Sequence, residues 1–236
     1  MRVRGLILGV WAAGMLLGSV CAPSRAQQVG FLPEVDVDYA LNSDARIRIQ
    51  AKDDREGGDP KQATIGPSLL LYRKPLMKLK HVLIFDVDNT KSRLFVVETG
   101  YRAITAPNTP VTNRLIEALT FHYPLLSQFL ITNRVRFDLD WQNGGFTWRF
   151  RDKATVERTL RIYSYHFGPF VAAEPFYESQ YGKWASTDLY AGADFPLGKR
   201  AEFDPYYQHE NDTGTSPNTQ RNYIGAKLQI YLGSKE

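Results

Sequence analysis

The chain has 236 residues, with 29 Lys and Arg against 25 Asp and Glu, a formal charge of +4 and a single cysteine. Arg2, Arg4, Arg25 and Cys21 all fall within residues 1–26, which hold no acidic residue, so a chain cleaved after Ala26 carries +1 and no cysteine. Such a chain has no disulfide, thiolate metal site or thiol nucleophile, and too little net charge to bind nucleic acid through bulk electrostatics.

Residues 1–26 have the layout of a secretory signal. Arg2 and Arg4 form a basic start, Leu6 to Val20 an apolar core, and Ser24-Arg25-Ala26 a small-x-small cleavage site. The apolar core is short for a membrane helix, and Val20 directly before Cys21 argues against lipoprotein processing. The remainder, residues 27–236, suits one domain.

Period-2 alternation dominates that remainder. Strands are expected near 34–42 and 44–53, parted by Asn42-Ser43-Asp44, then after a loop at Asp54–Pro60 near 65–73, 79–88 and 93–104. Pro107-Asn108-Thr109-Pro110 precedes a strand at 113–123, where Glu117 shares a face with Leu115, Leu119, Phe121 and Tyr123. The next two, 128–141 and 146–158, carry the clearest pattern. Ile131, Val135, Phe137, Leu139 and Trp141 lie opposite Arg134, Arg136, Asp138 and Asp140. After Asn143-Gly144-Gly145, Phe146, Trp148 and Phe150 lie opposite Thr147, Arg149 and Arg151. Strands at 169–179, 185–195, 200–210 and 221–232 complete the series, with breaks at Pro196-Leu197-Gly198 and Asn211 to Asn218.

Long strands with one apolar and one charged face are the signature of a transmembrane barrel with a polar lumen. The expected fold is therefore all-β, an antiparallel up-and-down transmembrane barrel of about twelve strands. Loop lengths alternate long and short back from the C-terminus, but the N-terminal third breaks that parity. A strand miscounted between residues 65 and 104 accounts for the break and keeps ten strands as the alternative count. Under this reading, Leu139→Arg on the outer face should harm assembly more than Asp138→Asn inside.

The candidate lumen-lining set is Arg102, Arg114, Arg134, Arg136, Asp138, Asp140, Arg149, Arg151, Lys153, Glu157, Glu174, Glu178 and Asp188. These charges either pair and fill the interior or line a narrow channel in which arginines bind small anions.

Two enzymatic alternatives have sequence support. His81-Val82-Leu83-Ile84-Phe85-Asp86-Val87-Asp88-Asn89-Thr90 resembles the nucleophile motif of haloacid-dehalogenase-type phosphatases, and Phe129 to Asn133 resembles that family's second motif. That fold needs a parallel sheet alternating with helices, and a later acidic pair for Mg²⁺, neither of which this sequence provides. Ser164 and His166 would share a strand face, as in membrane-embedded hydrolases, but have no acidic orienter. His122 and His209 stand alone, and no cluster has metal-ligand spacing. The expectation is no catalysis, no cofactor and no metal.

The closing strand, Tyr223 to Leu232, places Ile224, Ala226, Leu228, Ile230 and Leu232 on one face. It resembles the C-terminal signal read by the barrel-assembly machinery, although it ends on Leu232 rather than an aromatic. The whole mature chain is similar to an uncharacterised bacterial family, number 2490 among the domains of unknown function. The similarity rests on Asn113 to Thr120, on Asn133-Arg134-Val135-Arg136, and on Trp148-Arg149-Phe150-Arg151 with Glu157 following. It implies an outer-membrane barrel and brings no activity. The expected role is a small passive channel or a structural envelope barrel, with outer-membrane lipid, the assembly machinery and small anionic solutes as partners. The remaining alternative is a soluble periplasmic ligand-binding barrel whose apolar faces point inward.

Overall fold

The computed structural model describes residues 29–76, 84, 86, 87, 90–214 and 216–233. The leader, the cleavage site at Ala26 and most of the strand expected at 79–88 lie outside the described residues.

The strands are β1 (Val29–Asn42), β2 (Ala45–Glu56), β3 (Asp59–Leu76), β4 (Arg93–Thr105), β5 (Thr112–Pro124), β6 (Phe129–Gln142), β7 (Gly145–Arg158), β8 (Leu160–Ile162), β9 (Tyr165–Glu178), β10 (Lys183–Pro196), β11 (Ala201–Asp212) and β12 (Thr219–Leu232). Eleven of them close into a barrel. β8 stands outside it, paired only with β9. Every seam is antiparallel except the last, where β12 meets β1 in parallel from Val29↔Asn222 to Tyr39↔Leu232. An odd number of up-and-down strands sends the first and last in the same direction, so the closing pair must be parallel.

The strand count of about twelve thus resolves into eleven around the barrel and one beside it. β3 pairs directly with β4, so no barrel strand lies between them, and the described residues Ile84, Asp86 and Val87 are not in strand. Removing the strand expected at 79–88 repairs the parity. Turns 43–44, 125–128 and 197–200 then share the end of the barrel that holds Leu232, while 57–58, 106–111 and 213–218 share the end that holds Val29. The loop expected at Asp54–Pro60 is instead a tight hairpin between β2 and β3. Both central residues, Gly57 and Gly58, have positive φ, as do Asn143 and Gly144 between β6 and β7. That backbone suits the twist of a two-residue hairpin.

The interior is inverted relative to a soluble protein. Of the seven largest fully buried side chains, five are charged: Arg102, Glu174, Asp36, Asp38 and Asp138. The apolar faces of the strands point outward instead. Ile49, Ile65, Val97, Val156, Val171, Leu189 and Ile224 are all exposed, with Val171 at 58 %. A soluble barrel with its apolar faces inside is therefore not the arrangement found. Aromatic side chains concentrate towards both barrel ends. Trp141–Phe146, Trp148–Tyr177 and Tyr177–Trp184 contacts lie towards the Val29 end. Phe95–Phe121, Phe121–Tyr123 and Phe167–Phe195 contacts lie towards the Leu232 end. Glu117 does face outward, accepting a 2.7 Å hydrogen bond from Thr99 Oγ1.

Candidate functional site

Register places the inward charges in rows. Across β5, β6 and β7 the rows read Ile116–Asp138–Arg149, Ala118–Arg136–Arg151 and Thr120–Arg134–Lys153. Asp138 sits in the middle of this block with its side chain fully buried. Arg136 Nε lies 2.6 Å from it, and Arg149, Arg151 and Arg114 lie 3.5, 3.6 and 3.7 Å away. A buried carboxylate is costly unless well paired, and four guanidinium groups supply that pairing. Arg114 also grips Asp140 through two bonds of 2.6 and 2.7 Å.

Glu174 forms the second centre. It accepts hydrogen bonds from Arg151 Nε at 2.9 Å and from the Tyr190 hydroxyl at 3.0 Å, with Arg134 Nη2 further off at 3.4 Å. Glu178 lies 3.9 Å from Arg149. Asp188 accepts from Gln208 and lies 3.0 Å from the same Tyr190 hydroxyl, whose one proton it shares with Glu174. Arg102 is satisfied by Gln50, the Pro67 and Tyr101 carbonyls and Ser68, each within 2.9 Å.

A third cluster lies near the Leu232 end. Lys91, from the connection between β3 and β4, reaches into the barrel and donates to Glu157 at 2.7 Å and Asp194 at 2.8 Å, with Glu202 at 4.0 Å. Burial alone would lower the Lys91 ammonium, but Asp194, Glu157 and Glu202 outweigh it and hold the group well above the ordinary lysine range. In the same connection Asp86 accepts from the backbone N–H and hydroxyl of Ser92, and Ile84 and Val87 are buried. The described residues of this connection are thus buried or bonded without joining the wall.

Between these clusters lies a polar cavity of about 460 Å³. Of the candidate residues, Arg102, Arg114, Arg134, Arg136, Arg151, Lys153, Glu157 and Glu174 line it directly. Asp138, Asp140, Arg149, Glu178 and Asp188 bond to lining residues or to each other, as described above. Several interior charges escaped the sequence reading: Asp36 and Glu34, which pair with Lys227, and Asp38, which pairs with Arg48. Their alternation with Val35, Val37 and Leu228 was a usable signal. Lys91 carried none, because it falls in the break between the strands expected at 79–88 and 93–104.

Of the rival motifs, Asp86 accepts from Ser92 and Asp88 lies outside the described residues. Thr132 faces the cavity, whereas Asn133 faces outward and bonds Asp152. Ser164 sits in the exposed turn before β9. His122 Nδ1 lies 2.8 Å from the Arg93 carbonyl, and His209 Nδ1 2.8 Å from Asn222. Among the described residues, no group of three His, Cys, Asp or Glu side chains could hold a metal.

Fold and interior define a class: a closed β-barrel with an apolar outside and an ion-paired inside. Residues 88–221 match the family described as "Protein of unknown function (DUF2490)", and the chain belongs to that family. No curated protein matches it.

Proposed function

We propose that the protein is an outer-membrane β-barrel without a catalytic role, whose polar interior is a narrow passage for small solutes. The outer surface carries this reading: an aliphatic belt bounded by aromatic side chains at both ends. In water a belt of this extent would be an aggregation or interaction surface, whereas in a bilayer it matches the apolar band and aromatic girdles of barrel proteins. Strand length agrees. A 13-residue strand such as β4 extends about 43 Å and, tilted by about 40°, spans about 33 Å, enough to cross a hydrocarbon core of about 30 Å. The leader-like N-terminus and the spacing of apolar residues in β12 support export and delivery to the assembly machinery.

For the passage, the support is the polar cavity that remains after the charges have paired. The density of pairing around Asp138 and Lys91 favours a second reading, a structural barrel with a filled lumen. Planar-bilayer recording from folded protein separates the two. The passage reading expects small, anion-leaning conductance, and Arg134→Gln with Arg136→Gln should shift the reversal potential towards cations. Silence from correctly folded wild-type protein would leave the structural barrel.

A further inference from the structure

We infer that Arg134 and Lys153 form a binding site for a phosphate-type oxyanion inside the barrel, which deepens the reading of the lumen as open to solutes. Charge is locally unbalanced on one stretch of wall. Arg114, Arg134, Arg136, Arg149, Arg151 and Lys153 lie together there, and their ion pairs among the described residues go to Asp138, Asp140, Glu174 and Glu178. Glu98, held by Arg102 at 3.6 Å, acts on Arg134 and Arg136 only from further off. Six cations thus meet four carboxylates at ion-pair distance.

The surplus is not spread evenly. Arg114, Arg136 and Arg151 each hold a carboxylate at 2.9 Å or closer. Arg134 has a single contact to Glu174 at 3.4 Å, and its Nε is buried without a hydrogen-bond partner. Lys153 forms no ion pair among the described residues. Its ammonium sits 3.7 Å above the Tyr190 ring, a contact that orients a cation but does not neutralise it. Glu174 is shared, and Arg151 and Tyr190 lie closer to it than Arg134 does.

Arg149 also has no carboxylate closer than 3.5 Å and an unpartnered Nε, but it does not line the cavity, whereas Arg134 and Lys153 are neighbours within it. Arg134 pairs directly with Lys153 across β6 and β7, which places their Cβ atoms about 5 Å apart. Both line the cavity. So do the threonines around them: Thr120, paired with Arg134, and Thr132 with Thr155 one row further on. A guanidinium group, an ammonium group and hydroxyls thus line one stretch of the cavity. Such a set of donors suits a tetrahedral oxyanion, which takes donors on several sides, better than a planar carboxylate. Because the site faces the lumen, its ligand is a soluble phosphate or phosphate ester rather than a lipid headgroup.

The test is calorimetric titration of folded protein in detergent with inorganic phosphate over a chloride background, with acetate as the comparison anion. Wild-type protein should bind phosphate saturably and acetate more weakly. Arg134→Gln with Lys153→Gln should weaken phosphate binding on the order of tenfold or more. Glu174→Gln, which releases Arg151 and Arg134, should strengthen it, and phosphate should raise that variant's unfolding midpoint more than the wild type's. The second variant keeps the test decisive if the double variant does not fold. Folded wild-type protein with no saturable phosphate heat would overturn the proposal, as would equal binding in the double variant or equal affinity for acetate. Binding in detergent needs neither conductance nor a membrane. A silent barrel that binds phosphate would remove the passage and keep the site, and a conducting barrel that does not bind would do the reverse.

Discussion

Asp138 shows how much of this molecule's stability rests on single charges. Its carboxylate is completely buried between Arg114, Arg136, Arg149 and Arg151, so Asp138→Asn leaves four guanidinium groups without their common partner. The expected loss is about 3–5 kcal/mol, the range for breaking a buried pair from one side. Leu139→Arg, one residue on and facing out, is expected to cost about 2–4 kcal/mol in a bilayer. Alternation alone ranked the inner change as mild; the pairing revises that ranking, and urea unfolding of both refolded variants measures it. Lys91 gives a second residue-scale prediction. Its neighbours keep it protonated beyond the ordinary lysine value of 10.5. A group with a raised folded pKa contributes fully below the unfolded value and loses that contribution only as pH rises through the folded one. As far as Lys91 itself is concerned, its clip on the β3–β4 connection should therefore hold unchanged from neutrality to beyond pH 10.5. Lys91→Met should release the connection and enlarge any single-channel conductance; an unchanged conductance would mean the segment is held by other contacts.

At the scale of elements, the closing seam is the most distinctive feature and the easiest to challenge. Val35 and Leu228 face each other across β1 and β12, and residues 27–236 hold no cysteine. Val35→Cys with Leu228→Cys should form an intramolecular disulfide on mild oxidation, seen as a gel shift reversed by reductant. No cross-link in folded protein would contradict the parallel seam. On the inner side, Tyr206 lies across Gly225, where an added Cβ would come within 2.0 Å of its ring. Gly225→Ala should cost about 1–3 kcal/mol through overpacking, read as a lower urea midpoint.

The β6–β7 hairpin was fully legible because alternation and an Asn-Gly turn coincide there. Residues 54–64 were not, because β2 and β3 pair through a stretch that is polar on both faces, which erases the period-2 signal while the backbone ladder continues. Residues 79–88 misled for the opposite reason. An apolar run reads as a strand whether or not it pairs in a wall, and the described Ile84 and Val87 are buried without being in strand. Inward charges could be found by face, but their partners could not, since pairing across the lumen depends on closure.

Taken whole, the molecule has two ends with fixed membership. Tags inserted at 57–58 and 213–218 must be labelled from one side of the membrane, and tags at 43–44 and 197–200 from the other, because eleven alternating strands allow nothing else. With β12 delivered from the periplasm, the 213–218 loop is expected on the cell surface, reachable by protease on intact cells. All of this depends on the barrel residing in a bilayer, and one measurement tests that directly: fractionation of expressing cells, with the gel mobility of unheated and heated samples compared. The account predicts recovery in the outer-membrane fraction and a faster-migrating band that shifts on boiling. A soluble periplasmic product with a single mobility would contradict it.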